Sequence, residues 1–336
     1  DTEPTNPVDG ATWYNPTNRK IYKFMGNLWH EITDIPTRFL GSRGLFGGGF
    51  DDNTNDATKS IDYVTIATPG NAIDFGDLRF NRFRLAACSD GTYGLFGGGI
   101  GDRIDYVTIA TLGNAVDFGY LTDVIQYLAS CSDGTYGLFG GGNKSSSLVN
   151  VIDYVTIVTP GNAIDFGDLT VEREALASCS DGTYGLFGGG SSTNIIDYVT
   201  IATPGNAIDF GDLTVARGFL AACSDGTYGV FGGGDVFVPE TNLIDYITIA
   251  TPGNAIDFGD LTAPRYLLAG CSDGTYGLFA GGEGNSAESN VIDYVTIATP
   301  GNAVDFGDLT VARDSLTSCS NRTYGLFGGG DFPQTD

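Results

Sequence analysis

The chain of 336 residues carries 41 acidic and 16 basic side chains, which gives a formal net charge of −25 at pH 7. Phosphate backbones and anionic lipids attract basic surfaces, so this balance argues against nucleic acids and membranes as partners. Apolar residues make up 41% of the chain, which is enough for a folded core, and no apolar run is long enough to indicate a membrane span.

The N-terminal region precedes the repeats. Residues 1–11 are predicted to be an extension, and residues 12–36 contain strand-like segments, two of them separated by Met25-Gly26-Asn27. His30 is the only histidine and stands beside Trp29, which favours a structural role.

From residue 37 onward the sequence repeats. Six cysteines, each in a CSDGTY-like segment except for the last, follow one another at intervals of 43 to 48 residues. A period in the mid-forties that consists of strand-like segments and turns predicts the blades of a β-propeller. One cysteine per repeat, at a single structural position, favours six buried free thiols over three disulfides. The cysteines are Cys88, Cys131, Cys179, Cys223, Cys271 and Cys319.

Residues 214–261 illustrate how one period forms a blade. A short apolar strand ends at Cys223, an Asp-Gly turn follows, and the second strand runs into three glycines. The β-branched run from Ile244 and the segment from Asn254 to Leu261, joined by a Pro-Gly turn, predict the third and fourth strands. Four antiparallel strands make one blade.

The two halves of the blade occur in unequal number. GLFGGG or a close variant occurs seven times, whereas the unit that resembles IDYVTIATPGNAIDFGDL occurs six times. We therefore predict an all-β, seven-bladed propeller over residues 12–336, in which residues 12–36 supply the outer strands of the last blade and residues 310–330 supply its inner strands. The alternative is six blades plus an N-terminal β segment. The other predicted blades are residues 37–78, 79–121, 122–169, 170–213, 214–261 and 262–309.

The repeat resembles the kelch repeat over residues 37–330. An arginine precedes the inner strand, a Gly-Gly pair ends the second strand, and an aromatic residue marks the fourth. The resemblance implies a propeller. The chain departs from kelch repeats by carrying phenylalanine where they usually have tryptophan, at Phe75, Phe118, Phe166, Phe210, Phe258 and Phe306.

A second resemblance concerns bacteriophages. The pattern YVTIAT-GNA-DFGDLT-AR resembles repeats in predicted proteins of marine bacteriophages, and WYNPTNRKIYKFMGNLW is similar to a segment frequent in phage tail-fibre and baseplate-associated proteins. The resemblance implies a virion surface protein, extracellular and in contact with other virion proteins, whose homo-oligomeric state is left open. A host-surface glycan or protein is the expected ligand. The alternatives are a passive structural protein of capsid or tail and a sialidase-like glycosidase.

Candidate ligand-binding residues lie in the connections between the second and third strands. These connections share one face of a propeller with the blade crossings, here called the upper face, and they vary while the turns of the opposite, lower face scarcely do. Unconstrained drift is the alternative explanation. Aromatic and amide side chains suit sugar or protein contacts, and here they are Phe50, Asn53, Asn143, Lys144, Asn194, Phe237 and Asn285.

A repeated arginine precedes the inner strand in all but one repeat, where Ile125 stands instead. The arginines could grip an anion, or each could pair with an aspartate of a neighbouring DFGDL segment and hold blades together; the second reading is favoured. No ligand spacing indicates a metal, no residue set indicates catalysis, and no cofactor is predicted. The arginines are Arg38, Arg82, Arg173, Arg217, Arg265 and Arg313.

Overall fold

The computed structural model describes residues 12–15, 20–25, 28–31, 43–51, 54–191, 193–235 and 240–331. The regular secondary structure of these residues is entirely β, so no helix in the described part could cross a membrane. The chain divides into two compact units, Asp1–Gly41 and Ser42–Asp336.

The N-terminal unit contains one antiparallel sheet. Its strands are β1 (Thr12–Asn15), β2 (Lys20–Met25) and β3 (Leu28–Glu31), paired in the order β1-β2-β3. The two strands predicted on either side of Met25-Gly26-Asn27 are present as β2 and β3, which pair antiparallel with Met25 opposite Leu28.

The second unit begins with a three-stranded sheet and continues with five four-stranded sheets. The first sheet consists of β4 (Arg43–Asp51), β5 (Asp56–Thr65) and β6 (Ile73–Asp77). The second blade has β7 (Leu85–Ser89), β8 (Tyr93–Gly98), β9 (Arg103–Thr108) and β10 (Val116–Tyr120). The third has β11 (Ala129–Ser132), β12 (Tyr136–Gly140), β15 (Val151–Thr156) and β16 (Ile164–Asp168), with a small hairpin of β13 (Asn143–Lys144) and β14 (Ser147–Leu148).

The remaining blades repeat this plan. The fourth has β17 (Ala177–Ser180), β18 (Tyr184–Gly188), β19 (Ile195–Thr200) and β20 (Ile208–Asp212). The fifth has β21 (Ala221–Ser224), β22 (Tyr228–Gly232), β23 (Leu243–Thr248) and β24 (Ile256–Asp260). The sixth has β25 (Ala269–Ser272), β26 (Tyr276–Ala280), β29 (Val291–Thr296) and β30 (Val304–Asp308), with a hairpin of β27 (Glu283–Gly284) and β28 (Ala287–Glu288).

A two-stranded hairpin follows the sixth blade, formed by β31 (Thr317–Ser320) and β32 (Gly325–Gly328). β31 contacts β25 on one side and β4 on the other, so the second unit closes into a ring through this hairpin. The second unit is thus a β-propeller with six blades, which agrees with the alternative count.

The prediction of seven four-stranded blades is not supported. β1, β2 and β3 pair with one another in their own sheet, and in the part of the chain that the structure describes no third strand joins β31 and β32. The misjudgement arose because the sequence shows which segments become strands but not which strand each one pairs with.

Local sequence explains the lower-face turns. In the fifth blade the Asp225 carboxylate accepts hydrogen bonds from the backbone N–H groups of Thr227 and Tyr228, both at 2.7 Å, and Gly226 adopts a φ of +87°. An aspartate that satisfies its own turn, followed by a residue in a left-handed conformation, is the chemistry that Asp-Gly supplies.

Each hydrophobic core lies between two successive blades. The core around Phe258 combines Val230 and Ile244 of the fifth blade with Val295 and Ile297 of the sixth. The blades approach so closely that a Cβ on Gly229 would lie 2.9 Å from the Cys179 thiol of the preceding blade. All six cysteines are free thiols, as expected, although Cys88 and Cys319 are only partly buried.

Candidate functional site

The inner strands of successive blades are linked by serine side chains around the central axis. Ser130 Oγ donates a hydrogen bond to the Ala87 carbonyl at 2.7 Å, and Ser178 Oγ donates to the Ser130 carbonyl at the same distance. Small serine, alanine and glycine side chains let these strands lie side by side. The inner strands are therefore nearly the same in every blade. Differences between blades that could form a specific site lie at the ends of these strands.

In the described part of the chain, six variable residues follow one another at the upper end of the inner strands, and we call this series the mouth ring. In each of five successive pairs, the backbone N–H of one member donates to the carbonyl of the preceding member at 2.9 to 3.2 Å. Each member has a positive φ between 52° and 59°. The members are Arg84, Tyr127, Ala175, Phe219, Leu267 and Ser315.

The backbone of the mouth ring is strained. A left-handed conformation costs a non-glycine residue roughly 1–2 kcal/mol, and glycine would avoid that cost. Although this chain has 51 glycines, none of the six positions carries one. Strained residues with diverse side chains are typical of sites where the side chain itself is needed.

Three aromatic side chains form a crescent at the mouth. The rings of Tyr127 and Phe219 are 6.2 Å apart between centroids, and those of Phe219 and Tyr266 are 6.4 Å apart. Tyr127 and Phe219 belong to the third and fifth blades, and the intervening mouth-ring residue is Ala175, whose small side chain leaves room for the two rings to meet. All three aromatic residues are partly exposed.

Opposite charges flank the aromatic crescent. The Arg84 guanidinium lies 4.3 Å from the centre of the Tyr127 ring, a cation–π contact. At the other end, the Tyr266 hydroxyl donates to the Glu283 carboxylate at 2.5 Å, which raises the pKa of Tyr266. Burial raises the pKa of Asp314, and the nearby carboxylates of Asp331 and Glu283 raise it further. The upper face is therefore basic at one end of the crescent and acidic at the other.

Of the predicted ligand-binding residues, Asn143 lies beside the mouth ring, because its backbone pairs with that of Gln126, the neighbour of Tyr127, as Glu283 pairs with Tyr266. Phe50 is 41% exposed and its ring lies 5.2 Å from that of Phe83, while Lys144 is exposed and ion-paired with Asp123. Asn143 accepts a hydrogen bond from the Ser146 N–H, and Asn285 is a turn residue with a φ of +53°. The remaining predicted residues are Asn194, whose backbone carbonyl accepts from the Leu213 N–H at 2.6 Å, and Asn53 and Phe237, which lie outside the described residues.

Four of the repeated arginines are buried and ion-paired. Arg217 Nη1 lies 2.9 Å from Asp245 Oδ2, and its Nη2 donates to the Phe231 carbonyl at 3.2 Å. The partner is the aspartate of the IDY segment in the same blade, and not, as we expected, one in a neighbouring DFGDL segment. The equivalent pairs are Arg82–Asp105, Arg173–Asp197 and Arg265–Asp293.

The backbone of the arginine links the two blades. The Arg217 carbonyl accepts from the Gly190 N–H of the fourth blade at 2.9 Å, while its side chain is held in the fifth. This arrangement favours the structural role over anion binding for the buried arginines. Arg313 is only partly buried, and Arg38 lies outside the described residues.

The third blade lacks its arginine, as the sequence indicated. Ile125 is buried, and Asp153 receives hydrogen bonds from the backbone N–H and hydroxyl of Thr122 at 2.9 and 2.7 Å. Asp153 is 1% exposed, and burial raises its pKa above the ordinary value of 3.8. It provides a natural comparison for the paired aspartates.

Within the described residues, no group of three or more histidine, cysteine, aspartate or glutamate side chains could hold a metal ion. A scan against protein-family models and a search of the curated proteins found no match to this chain. The propeller of repeated blades is consistent with the kelch-like resemblance.

The sequence contained a signal for the mouth ring that our reading missed. Six repeats have two variable residues between the arginine position, which is Ile125 in one of them, and a constant leucine, as in Arg217-Gly-Phe-Leu220 and Arg265-Tyr-Leu-Leu268. Variation inside an otherwise constant segment marks a position that the repeat leaves free.

Proposed function

We propose that this protein is a non-enzymatic recognition protein that binds a glycan at the mouth ring on its upper face. The observation that carries the proposal is the crescent of Tyr127, Phe219 and Tyr266, in which Tyr127 and Phe219 stand on a strained backbone that glycine would relieve. Aromatic faces stack on the apolar faces of sugar rings, and the carboxylates beside Tyr266 can accept hydrogen bonds from hydroxyl groups.

The proposed setting is the surface of a bacteriophage virion, with host-cell glycans as the ligand class. This part rests on the sequence resemblance. A recognition protein on a particle must present its variable face outward, and the variable connections and the mouth ring share the upper face of this propeller.

A glycan array with the full chain tests the proposal. We expect Phe219→Ala to weaken the strongest signal by about tenfold or more, because an aromatic anchor at the centre of a contact contributes most of its affinity. The matched control is Ile208→Ala, which truncates a side chain of β20 that is 59% exposed.

Three results would contradict the proposal. Absence of glycan binding would favour the passive structural role. Glycan binding whose affinity Phe219→Ala leaves unchanged would show that the glycan does not bind at this mouth. Release of sugars from bound glycans would favour the glycosidase.

A further inference from the structure

The terminal hairpin β31–β32 lacks the outer half that every blade possesses. In the six blades the second strand pairs with a third, for example β26 with β29, where Phe279 faces Asp293. β32 pairs only with β31 in the described part of the chain, so the backbone groups on its other edge have no strand partner among these residues. Such an edge can accept a further strand.

The sixth blade is correspondingly uncovered. Phe258 of the fifth blade is 3% exposed because Val295, Ile297 and Ala303 of the next blade cover it, whereas the equivalent Phe306 is 64% exposed. Phe306, Tyr276 and Tyr324 line an open groove of about 590 Å³ beside the hairpin.

Arg313 indicates that a strand added to this hairpin would carry a negative charge. It donates to the Gly329 carbonyl at 3.1 Å, as Arg265 does to the Gly281 carbonyl at 2.9 Å. Arg265 also reaches the third strand, at the Val291 carbonyl and the Asp293 carboxylate. Within the described residues Arg313 forms no ion pair, because the strand that would carry its aspartate is absent from its sheet.

Two contacts that other blades make with the outer turn of the next blade are missing at the sixth blade among the described residues. A Cβ on Gly259 would lie 2.6 Å from the backbone of Gly301 in the next blade, whereas a Cβ on the equivalent Gly307 would meet nothing within 4 Å. The Asp260 N–H donates to the Asn302 side chain of that turn at 3.2 Å, and the equivalent N–H of Asp308 has no such acceptor among the described residues.

We propose that the open edge of β32 is a docking site for a β-hairpin of a partner polypeptide whose sequence is of the IDYVTIATPGNA type. Its first strand would run antiparallel to β32 and place an aspartate opposite Phe327, within reach of Arg313. Its turn would supply the glycine and asparagine that Gly307 and Asp308 lack. Charge complementarity to Arg313 favours a strand with a carboxylate at this position, and the one acidic residue of strands β1, β2 and β3, Glu31, pairs with Tyr22 in its own sheet.

The six outer hairpins of this chain are already paired within their own blades. Among the described residues a second copy could offer the edge of an outer strand or of β32, but no unpaired hairpin of this type. A separate hairpin is therefore the occupant, and we expect the isolated protein to leave the edge free.

The test uses the full chain and a synthetic peptide with the sequence of residues 291–309. We expect calorimetric binding at one site, together with protection of the Gly325–Gly328 amides from hydrogen exchange. A peptide with the Asp293→Asn change should bind about tenfold more weakly or worse, because a charge-assisted bond is lost. In an Arg313→Gln protein the two peptides should bind alike.

Several outcomes would overturn the proposal. Failure of the wild-type peptide to bind is one, and equal binding of both peptides to the wild-type protein is another. Protection of the β32 amides in the free protein would mean that the chain itself covers this edge. A dimer that excludes the peptide, seen by sedimentation, would assign the edge to a second copy.

Discussion

Each fully buried arginine described above forms an ion pair with one buried aspartate. The Arg217 guanidinium is fully buried against Asp245, and Thr214 donates two more hydrogen bonds to the same carboxylate, from its N–H at 3.0 Å and its hydroxyl at 2.6 Å. Burial lowers the pKa of Arg217, yet an arginine stays charged at neutral pH, so the pair must remain ionised. Breaking such a pair leaves one uncompensated charge in the interior.

We expect Asp245→Asn to lower the free energy of unfolding by about 3–5 kcal/mol, because it leaves Arg217 buried without its carboxylate. Urea unfolding at pH 7, followed by circular dichroism, measures the change. A loss below about 1 kcal/mol would contradict the structural role of the pair.

Asp153→Asn is the matched control, since Ile125 stands where the arginine would be. We expect it to be neutral or stabilising at pH 7, because it removes a buried carboxylate without a guanidinium. The pKa of Asp153 is raised on folding, so the native state binds the proton more tightly than the unfolded state and the wild type loses stability as the pH rises above about 4. The advantage of the variant should therefore grow between pH 4 and pH 7.

At the scale of the strand, the glycines of the second strands set the distance between blades. A Cβ on Gly232 would lie 2.7 Å from the Phe279 ring of the next blade, and equivalent contacts recur at Gly140 and Gly188. Only the sixth blade has alanine there, at Ala280. By equivalence with the other blades, the phenylalanine opposite Ala280 is Phe327 of the two-stranded hairpin, which pairs with no third strand among the described residues.

Gly232→Ala should cost about 1–3 kcal/mol of stability, because the added methyl group must displace a fully buried ring. Thermal and urea unfolding measure the loss. The matched control is Ala280→Gly, where we expect no more than the roughly 0.5–1 kcal/mol that glycine costs in a strand. Equal losses for the two variants would show that ring contact does not set the spacing.

At the scale of the whole molecule, the ring is closed by packing and hydrogen bonds rather than by disulfides. Each of the six thiols lies against a glycine of the next blade or hairpin, and this includes the closing contact, where a Cβ on Gly44 would lie 2.6 Å from the Cys319 sulfur. Burial raises the pKa of the Cys88 thiol to about 12 and that of Cys319 to about 11, so none of these groups is a ready nucleophile.

A thiol titration with an aromatic disulfide reagent at pH 8 tests this packing. We expect Cys131, Cys179, Cys223 and Cys271 to be protected in the native protein, because they are buried, and all six cysteines to react after unfolding in denaturant. Rapid reaction of more than two thiols in the native protein would contradict the close contact between blades. Fewer than six after unfolding would indicate a disulfide.

Local sequence patterns were sufficient to predict the strands, the turns and the propeller fold. Asp-Gly and Pro-Gly turns and β-branched runs depend on interactions between near neighbours, and a repeat stacks on its own copies, so one blade predicts the rest. The pairing of chain ends, the Arg217–Asp245 partnership and the mouth ring were decided by the tertiary structure. They depend on which strands and crossings meet in space, 28 residues apart for Arg217 and Asp245 and about one blade apart for neighbours in the mouth ring, and the residue pattern of one segment does not encode such pairings.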